Sequence, residues 1–370
     1  MAWQDELKNS ITTAEQLCDR LKLPASERER MERIVSQFPM MITPYYFSLI
    51  DPNDPEDPIA RMCIPSEAEL APEGSFDTSG EGSNTKQEGV QHKYTQTALI
   101  LSTNVCAMYC RHCFRKRLVG LSDAELNKQV DEAAAYVWAH PEITNVLISG
   151  GDSLMNPNVI IRRYLAEFCE IPSLDLIRFG SRVPVTFPQR INEDEELLDL
   201  FAMYARVKPI YLVTQFNHPR ELTPESVRAV QAFQKRGVQV RNQTVLLRGV
   251  NDDPKVLGEL LRGLTRIEVV PYYIFQCRPV TGVKGRFQVP LKDGVKIVDA
   301  AKAMQNGIGK GVRYAMSHPR GKIEILGETE DGKMLFKFHQ NKYPEDASRI
   351  FLTEVSESSA WLDDALHAMG

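Results

Sequence analysis

Six apolar runs of strand length alternate with amphipathic stretches of helical length across the middle of the chain. The strand-like runs are ALILST (98–103), VLISG (146–150), LIRFG (176–180), IYLVTQF (210–216), VQVRNQTVLL (238–247) and IEVVPYYIF (267–275). Helical patterns lie between them, near residues 122–139, 157–170, 191–206, 223–236 and 253–264. Continuous apolar strands separated by helices are typical of parallel β/α units with a buried sheet. The sequence therefore predicts an α/β fold.

Two architectures fit this alternation. Six strands, with no seventh or eighth of equal quality, favour a partial (β/α)6 barrel over a closed barrel of eight units. An open, doubly wound sheet is the alternative, which the local pattern leaves open. In either case we expect the functional loops at the C-terminal ends of the strands.

The chain divides into three predicted parts. Residues 1–92 form an accessory region with short helices, residues 93–280 form the β/α core, and residues 281–370 form a small C-terminal α+β region. The last part contains a helical stretch (295–304) and a predicted hairpin, in which GETEDG separates KIEILG (322–327) from KMLFKF (333–338). Residues 74–89 are rich in Ser, Gly and Glu and are predicted to form an exposed loop.

Charge and hydropathy exclude some classes of partner. The formal net charge is -5, which favours neither nucleic acid nor an anionic membrane as a partner. No apolar run approaches the roughly 20 residues that a membrane span requires. The N-terminus lacks a basic segment followed by an apolar one, as a secretory signal would have. We therefore expect a cytoplasmic protein.

Three of the seven cysteines lie within eight residues, directly after the first strand-like run. Cys106, Cys110 and Cys113 can bring three thiolates around one small iron–sulfur cluster. A [4Fe-4S] cluster takes four ligands, so three cysteines leave one iron open to an outside molecule. Structural zinc would need a fourth ligand nearby, and His112 is badly placed because it lies between two of the cysteines. The spacing predicts a [4Fe-4S] cluster.

The cysteine spacing is typical of the radical S-adenosylmethionine (SAM) superfamily, and the resemblance extends further. The segments CAMYCRHCFRKRLVG, LISGGDSLM, GSRVPVTFPQRI, FNHPRELT, NQTVLLRGVND and PYYIFQC resemble those of the lysine 2,3-aminomutase family, in the same order. The chain is identified as a member of that family. The resemblance implies a radical SAM barrel and an isomerase that depends on pyridoxal phosphate (PLP) and moves an amino group from Cα to Cβ of an amino acid.

The resemblance also implies the residues that contact SAM. Gly150, Gly151 and Asp152 match the segment that binds its amino group. His112 is expected near the adenine. Further residues of the SAM and cofactor cavity are expected at Ser181, Arg182 and Gln243.

The resemblance places the PLP lysine at Lys322. A lysine can bind PLP covalently once its amine is deprotonated. In the family this lysine follows a glycine-rich segment and precedes a short strand. Here the glycine run is shortened to His-Pro-Arg-Gly, and a lone Gly-Lys pair is a weak motif by itself.

The substrate-binding residues depart from the lysine enzymes. Arg115 matches the family arginine that pairs with the substrate α-carboxylate. The two aspartates that hold the ammonium of lysine are replaced here by Arg278 and Ser317. An arginine repels an ammonium, and leaving such a charge buried and unpaired costs roughly 3–5 kcal/mol. The sequence therefore favours glutamate or another amino acid over lysine, unless Arg278 faces solvent or pairs with a nearby acid.

Other interpretations stay open at this point. The chain could be a lysine 2,3-aminomutase proper, or a radical SAM and PLP enzyme with a different outcome or a protein lysine as its substrate. It could also be a degenerate member that keeps the cluster for electron transfer or structure. Expected partners are a small amino acid, an electron donor such as flavodoxin or ferredoxin, and further copies of the chain, without nucleic acid or membrane.

Overall fold

The computed structural model describes residues 2–369 and contains one twelve-stranded sheet whose strands are neighbours in chain order. Its strands are β1 (Thr85–Gln87), β2 (Val90–Tyr94), β3 (Thr97–Thr103), β4 (Asn145–Gly150), β5 (Leu176–Gly180), β6 (Ile210–Thr214), β7 (Gln239–Leu246), β8 (Val270–Gln276), β9 (Arg313–His318), β10 (Gly321–Glu328), β11 (Lys333–Asn341) and β12 (Ile350–Glu354). A separate two-stranded sheet pairs β13 (Trp361–Leu362) with β14 (Ala368–Met369).

The helices lie before, between and after these strands. They are α1 (Ala2–Lys8), α2 (Ala14–Leu21), α3 (Ala25–Gln37), α4 (Pro44–Phe47), α5 (Pro58–Cys63), α6 (Glu81–Asn84), α7 (Val130–Trp138), α8 (Asn158–Cys169), α9 (Val183–Thr186), α10 (Gln189–Asn192), α11 (Glu195–Ala205), α12 (Pro224–Lys235), α13 (Pro254–Arg266), α14 (Lys284–Phe287) and α15 (Leu291–Ala303). No helix among the described residues is long and apolar enough to cross a membrane.

The helices after β6 and β7 begin at clear sequence signals. Thr223 accepts a hydrogen bond from a backbone N–H of the first turn of α12, and Asp253 does the same for α13. Pro224 and Pro254 occupy the first helical positions, where a missing N–H has no consequence. Local sequence therefore sets where these two helices start.

Strand order decides between the two architectures. Strands β3 to β9 are parallel to one another and follow each other in chain order across the sheet. A doubly wound sheet would reverse its strand order at a switch point, and this sheet does not. The order β1 to β12 is linear, so the parallel strands do not close on themselves. The partial (β/α)6 barrel is therefore confirmed.

A seventh parallel strand, β9, was missing from the sequence prediction. It pairs in parallel with β8 after α15 and completes the sixth β/α crossover. Its sequence, RYAMSH, has an apolar run of only three residues (314–316), which is shorter than the strand-like runs of the sequence analysis. The hairpin predicted after it is confirmed, since β10 pairs antiparallel with both β9 and β11.

The large sheet runs through all three predicted parts of the chain. The boundary placed between residues 92 and 93 lies within β2, which pairs antiparallel with β3 of the barrel. The boundary at residue 280 lies between β8 and α14. The division into three domains therefore stays a prediction.

The structure of residues 74–89 differs from the exposed loop that the sequence predicted. The sequence predicted an exposed loop, yet Thr78, Ser79, Glu81 and Asn84 are buried. Asp77 organises the turn, because its carboxylate accepts hydrogen bonds from backbone N–H groups of the next residues, at 2.7 Å from Glu81 N. This segment, called the accessory loop below, packs across the end of the barrel.

Candidate active site

The predicted site residues converge at the C-terminal edge of the parallel strands. The cysteines follow β3, the Gly-Gly-Asp segment follows β4, Ser181 and Arg182 follow β5, and Arg278 follows β8. Lys322 lies on β10 directly opposite Ser317 at the end of β9. Because parallel strands end on one side of a sheet, residues distant in sequence meet here.

The cysteine loop has two hydrogen bonds directed at its sulfur atoms. The backbone N–H of Arg115 donates to Cys113 Sγ at 3.3 Å. The Nη1 of Arg182 donates to Cys110 Sγ at 2.8 Å. All three cysteines are half-buried. Donors around thiolate sulfurs are among the interactions that set the potential of an iron–sulfur cluster.

Two glycines, the last residue of β4 and the residue after it, allow a close backbone contact with the start of the cysteine loop. Gly150 has a positive φ of 120°. A Cβ atom there would lie 2.3 Å from the carbonyl oxygen of Thr103, and one on Gly151 would lie 2.5 Å from that of Val105. Gly151 N donates to the same Thr103 oxygen. Only glycine permits this approach.

Asp152 connects the ends of β4 and β5. Its carboxylate accepts hydrogen bonds from Leu154 N at 3.1 Å and from Arg182 N at 2.6 Å. Burial raises the pKa of Asp152, although hydrogen bonds, first from Ser181, oppose this rise. The side chain therefore fixes the backbone that carries Ser181 and Arg182.

Arg182 is held by a buried acid. Its guanidinium donates to the carboxylate of Glu221, which is fully buried, and to Tyr46 Oη at 3.2 Å. Tyr46 in turn donates to Glu221 at 2.6 Å. This network directs the remaining Nη1 of Arg182 towards Cys110.

His112 lies in the same buried layer. Its Nε2 is 3.0 Å from the side-chain nitrogen of Gln215 and 3.3 Å from that of Asn217. Its ring meets Phe287 edge-to-face at 5.9 Å. Burial, together with the charge of Arg182, lowers the pKa of His112 well below its usual range, so the ring is neutral at pH 7.

Lys322 lies among aromatic rings. Its Nζ is 4.8 Å from the centroid of the Tyr273 ring and 5.9 Å from those of Tyr94 and Phe275. Burial, followed by the charge of Arg178, lowers the pKa of this lysine to about 7. A substantial fraction of the amine is therefore unprotonated and nucleophilic at neutral pH.

A second half-buried lysine lies close to Lys322. Lys93 on β2 donates from Nζ to the carbonyl oxygen of His318 at 2.5 Å. Burial, followed by the charge of Arg278, lowers its pKa to about 7. Sequence analysis did not single out this residue, because a lysine in a short strand without a motif around it gives no local signal of burial.

The accessory loop supplies a buried carboxylate to the site. Glu81 accepts hydrogen bonds from Arg115 Nε at 2.9 Å and from Arg117 Nη2 at 2.7 Å. Burial alone would raise the pKa of Glu81, but the two guanidinium groups outweigh burial and lower it to about 2. Arg115 also donates from Nη1 to Ser149 Oγ at 3.3 Å.

Arg278 lies beside this group without an ion pair. Its guanidinium carbon is 4.2 Å from the centroid of the Phe114 ring. Its Nη1 is buried and has no hydrogen-bond partner, and no ion pair within residues 2–369 includes Arg278. Burial lowers its pKa to about 10, although the nearby Glu81 opposes the shift. The side chain thus presents an unused donor inside the site.

Two predicted residues are placed mainly by their strands. Gln243 lies in the middle of β7, in register with Tyr273 on β8. Ser317 lies opposite Lys322 in the β9–β10 pair. The residues that sequence analysis missed at this site are Glu81, Lys93, Tyr94, Phe114, Glu221 and Tyr273.

The sequence matches the model of the radical SAM superfamily over residues 100–261. It is 40% identical to the L-lysine 2,3-aminomutase of Clostridium subterminale over 308 residues, which cover 82% of this chain and 73% of that protein. The chain belongs to the lysine 2,3-aminomutase family.

Relatives of this aminomutase are named for more than one substrate. The L-lysine 2,3-aminomutase of Acetoanaerobium sticklandii is 38% identical, over 82% of this chain and 73% of that protein. The glutamate 2,3-aminomutase of Clostridioides difficile is 37% identical, over 86% of this chain and 74% of that protein. The predicted class, a radical SAM aminomutase and thus an isomerase, is confirmed.

Family membership gives this aminomutase three cofactors, a [4Fe-4S] cluster, SAM and PLP. The described residues fit them. Three thiols follow one strand, and two of them, those of Cys110 and Cys113, accept hydrogen bonds from N–H donors. The hydroxyl group of Tyr94 is buried without a hydrogen-bond partner, and the ring that carries it lies 5.9 Å from Lys322 Nζ. Buried groups of this kind require a partner, and PLP, which carries a phosphate, a pyridine nitrogen and a hydroxyl, can supply one.

Proposed function

We propose that this aminomutase moves the α-amino group to the β-carbon of an amino acid that carries a second carboxylate, such as glutamate. The buried, unpartnered Nη1 of Arg278 supports this proposal most directly. A guanidinium in a desolvated site binds a carboxylate strongly, because it can donate two parallel N–H···O hydrogen bonds to the two carboxylate oxygens. A distal carboxylate of the substrate would satisfy the donor that the protein leaves unused.

The charge balance of the site argues against lysine as the best substrate. Arg115 and Arg117 pair with the buried Glu81, and Arg117 also pairs with Glu125, whereas Arg278 has no ion pair within residues 2–369 and leaves one positive charge uncompensated. An added ammonium would meet an excess of positive charge, whereas a substrate with two carboxylates would neutralise it. At short range in a poorly solvated site, the difference in binding free energy between the two kinds of substrate amounts to several kcal/mol.

Arg115 is proposed to bind the α-carboxylate. Its Nε is engaged by Glu81, and its Nη1 donates to Ser149 and to the carbonyl oxygen of Gly150. The side chain is therefore fixed in one orientation before substrate arrives. Its Nη2 is the atom that we expect to donate to the substrate.

Lys322 is proposed as the residue that binds PLP. The cluster and SAM supply the one-electron chemistry that removes and returns a hydrogen atom at the substrate, and PLP holds the migrating nitrogen. Because the pKa of Lys322 is about 7, a substantial fraction of its amine is neutral at neutral pH. We propose that Gly150, Gly151, Asp152, Ser181, Arg182, Gln243 and His112 form the SAM cavity, as the resemblance implies, and that Ser317 lines the substrate side.

The accessory loop is proposed to exclude water from the reaction. Ser75 forms a backbone bridge with Val280, next to the segment that carries Arg278. At the other end, Lys342 donates to Ser83 Oγ at 2.9 Å. The loop thus spans from the end of β8 to the end of β11, and a closed site protects reactive species from side reactions.

Three further predictions concern the surroundings of the enzyme. They are an electron donor such as flavodoxin or ferredoxin, a homo-oligomer, and a cytoplasmic location. All three stay predictions.

The test is an anaerobic assay of the reconstituted enzyme with SAM, PLP and reductant, in which amino acids are offered separately and β-amino acids are detected by mass spectrometry. We expect β-glutamate to form in preference to β-lysine. In the variant Arg278→Gln, kcat/KM for glutamate should fall by about 100-fold or more, since a charged hydrogen-bond partner is lost. The exposed Arg228, which pairs only with a neighbouring glutamate, offers the matched control Arg228→Gln. If β-lysine dominates, the charge argument is wrong while the reaction type stands.

A further inference from the structure

The cysteine loop carries an aromatic ring that contacts both substrate-facing arginines. Phe114 follows Cys113 directly and is half-buried. The guanidinium carbon of Arg278 lies 4.2 Å from the centroid of its ring, and that of Arg115 lies 4.6 Å from it. One phenyl ring therefore supports two cationic groups of the site.

The two arginines differ in how their donors are used. Arg115 is held by Glu81 through an ion pair. Arg278 has no such partner within residues 2–369, and its Nη1 stays buried and unbonded. Contact with the face of an aromatic ring attracts a guanidinium without using any of its N–H groups, because these lie in the guanidinium plane. Phe114 can thus hold Arg278 in place while its donors remain free.

If an ion pair held Arg278 in place of the ring, the donors of Arg278 would no longer be free. If Arg278 turned to Glu81, the carboxylate would occupy the donors that a substrate needs. Glu81 already accepts from Arg115 and Arg117. The ring therefore holds Arg278 without occupying its donors, which stay free for the substrate, whereas Arg115 is held by its ion pair with Glu81.

We propose that Phe114 is a positioning residue that determines specificity, because it holds the Arg278 guanidinium ready for the distal carboxylate of the substrate. The inference rests on the function proposed above. It adds that selection for a second carboxylate depends on a ring in the cysteine loop, outside the segment after β8 that carries Arg278. Phe114 itself needs no contact with the reacting atoms.

The test compares L-glutamate with L-glutamine, which has the same shape but lacks the distal charge. Each is titrated anaerobically into the enzyme loaded with its cluster and PLP, without SAM so that no turnover occurs. The absorbance of the bound PLP reports binding. The quantity measured is the preference, Kd for glutamine divided by Kd for glutamate, in the wild type and in variants.

In Phe114→Leu, which keeps an apolar side chain but removes the π face, we expect the preference to fall by about 5- to 30-fold. In Phe114→Tyr, which keeps the ring, the preference should stay within about twofold of the wild type. Iron content of each variant confirms that the cysteine loop still takes up its cluster. Phe114→Met is prepared in parallel, so that a second non-aromatic variant decides the question if the leucine variant loses the cluster.

The outcomes separate this inference from the proposed function. A wild type without preference for glutamate overturns both. A wild type with strong preference, which the leucine and methionine variants keep, overturns the role of Phe114 alone. A tyrosine variant that loses the preference as fully as the leucine variant also overturns it, since packing rather than the aromatic face would then be responsible.

Discussion

Arg115 donates from Nε to the carboxylate of Glu81 at 2.9 Å, and both side chains are almost fully buried. Arg115 belongs to the cysteine loop of the barrel, whereas Glu81 belongs to the accessory loop that precedes it. The pair therefore joins two parts of the chain at the predicted substrate site. It also fixes the arginine that we propose for the α-carboxylate.

Removal of the Glu81 charge should destabilise the protein. In Glu81→Gln, Arg115 and Arg117 would lose their shared buried partner, and the free energy of unfolding should fall by about 3–5 kcal/mol. The control is Glu125→Gln, because Glu125 also pairs with Arg117, at 2.8 Å, but is partly exposed. Its loss should cost about 0–1 kcal/mol. Urea titrations of both variants measure the difference, and equal losses would contradict the prediction.

The contribution of the Glu81–Arg115 pair to the free energy of unfolding should depend on pH. The pKa of Glu81 falls from 4.5 to about 2 in the folded protein. Its contribution to stability is therefore complete above about pH 4.5 and is lost as the pH falls towards 2. The difference in unfolding free energy between wild type and Glu81→Gln should shrink over that interval. A difference that stays constant down to pH 2 would count against the ion pair as its source.

Lys322, rather than Lys93, should carry PLP. Both amines have a pKa of about 7, so acidity alone does not distinguish them. Lys93 Nζ is bonded to the carbonyl oxygen of His318, whereas Lys322 Nζ faces the ring of Tyr273. Borohydride reduction of the PLP-loaded protein, followed by peptide mass spectrometry, should find the label on Lys322. Label on Lys93 would reverse the assignment.

PLP uptake should depend on pH with a midpoint near 7. Only the neutral amine of Lys322 can react, and burial lowers its pKa from 10.5 to about 7. The rate of uptake by PLP-free enzyme should thus rise through pH 7 and level off above about pH 8. Free Nα-acetyl-lysine, with its ordinary pKa, serves as the reference and should keep rising. An enzyme rate that still rises at pH 9 would show that the amine is not perturbed.

The three cysteines of the loop should be required for iron. Replacement of Cys106, Cys110 or Cys113 by alanine removes one of three protein ligands, and the reconstituted protein should lose most of its iron. Cys277→Ala is the control, because Cys277 is buried but lies outside the loop. Iron analysis and visible absorbance measure the effect. Normal iron content in Cys110→Ala would exclude that residue as a ligand.

Much of the barrel could be predicted because its signals are local. LIRFG predicted β5 with its observed bounds, and the helical pattern near 223–236 agrees with α12 (Pro224–Lys235), which begins after its capping threonine. β9 was missed, because its apolar run is only three residues long (314–316) and lies between polar residues. The accessory loop was predicted to be exposed, since glycine and serine are common in exposed loops and a buried ion pair leaves no local signal.

By itself, the sequence determined the β/α alternation, the cysteine spacing and the family resemblance, because apolar periodicity and short motifs are properties of neighbouring residues. Only the tertiary structure decided that Glu81 neutralises Arg115, that Lys93 lies close to Lys322, and that the Phe114 ring of the cysteine loop contacts Arg278. These contacts join segments that are distant along the chain. Their strength depends on burial and on distances of a few ångströms, which arise only when the sheet brings its strand ends together.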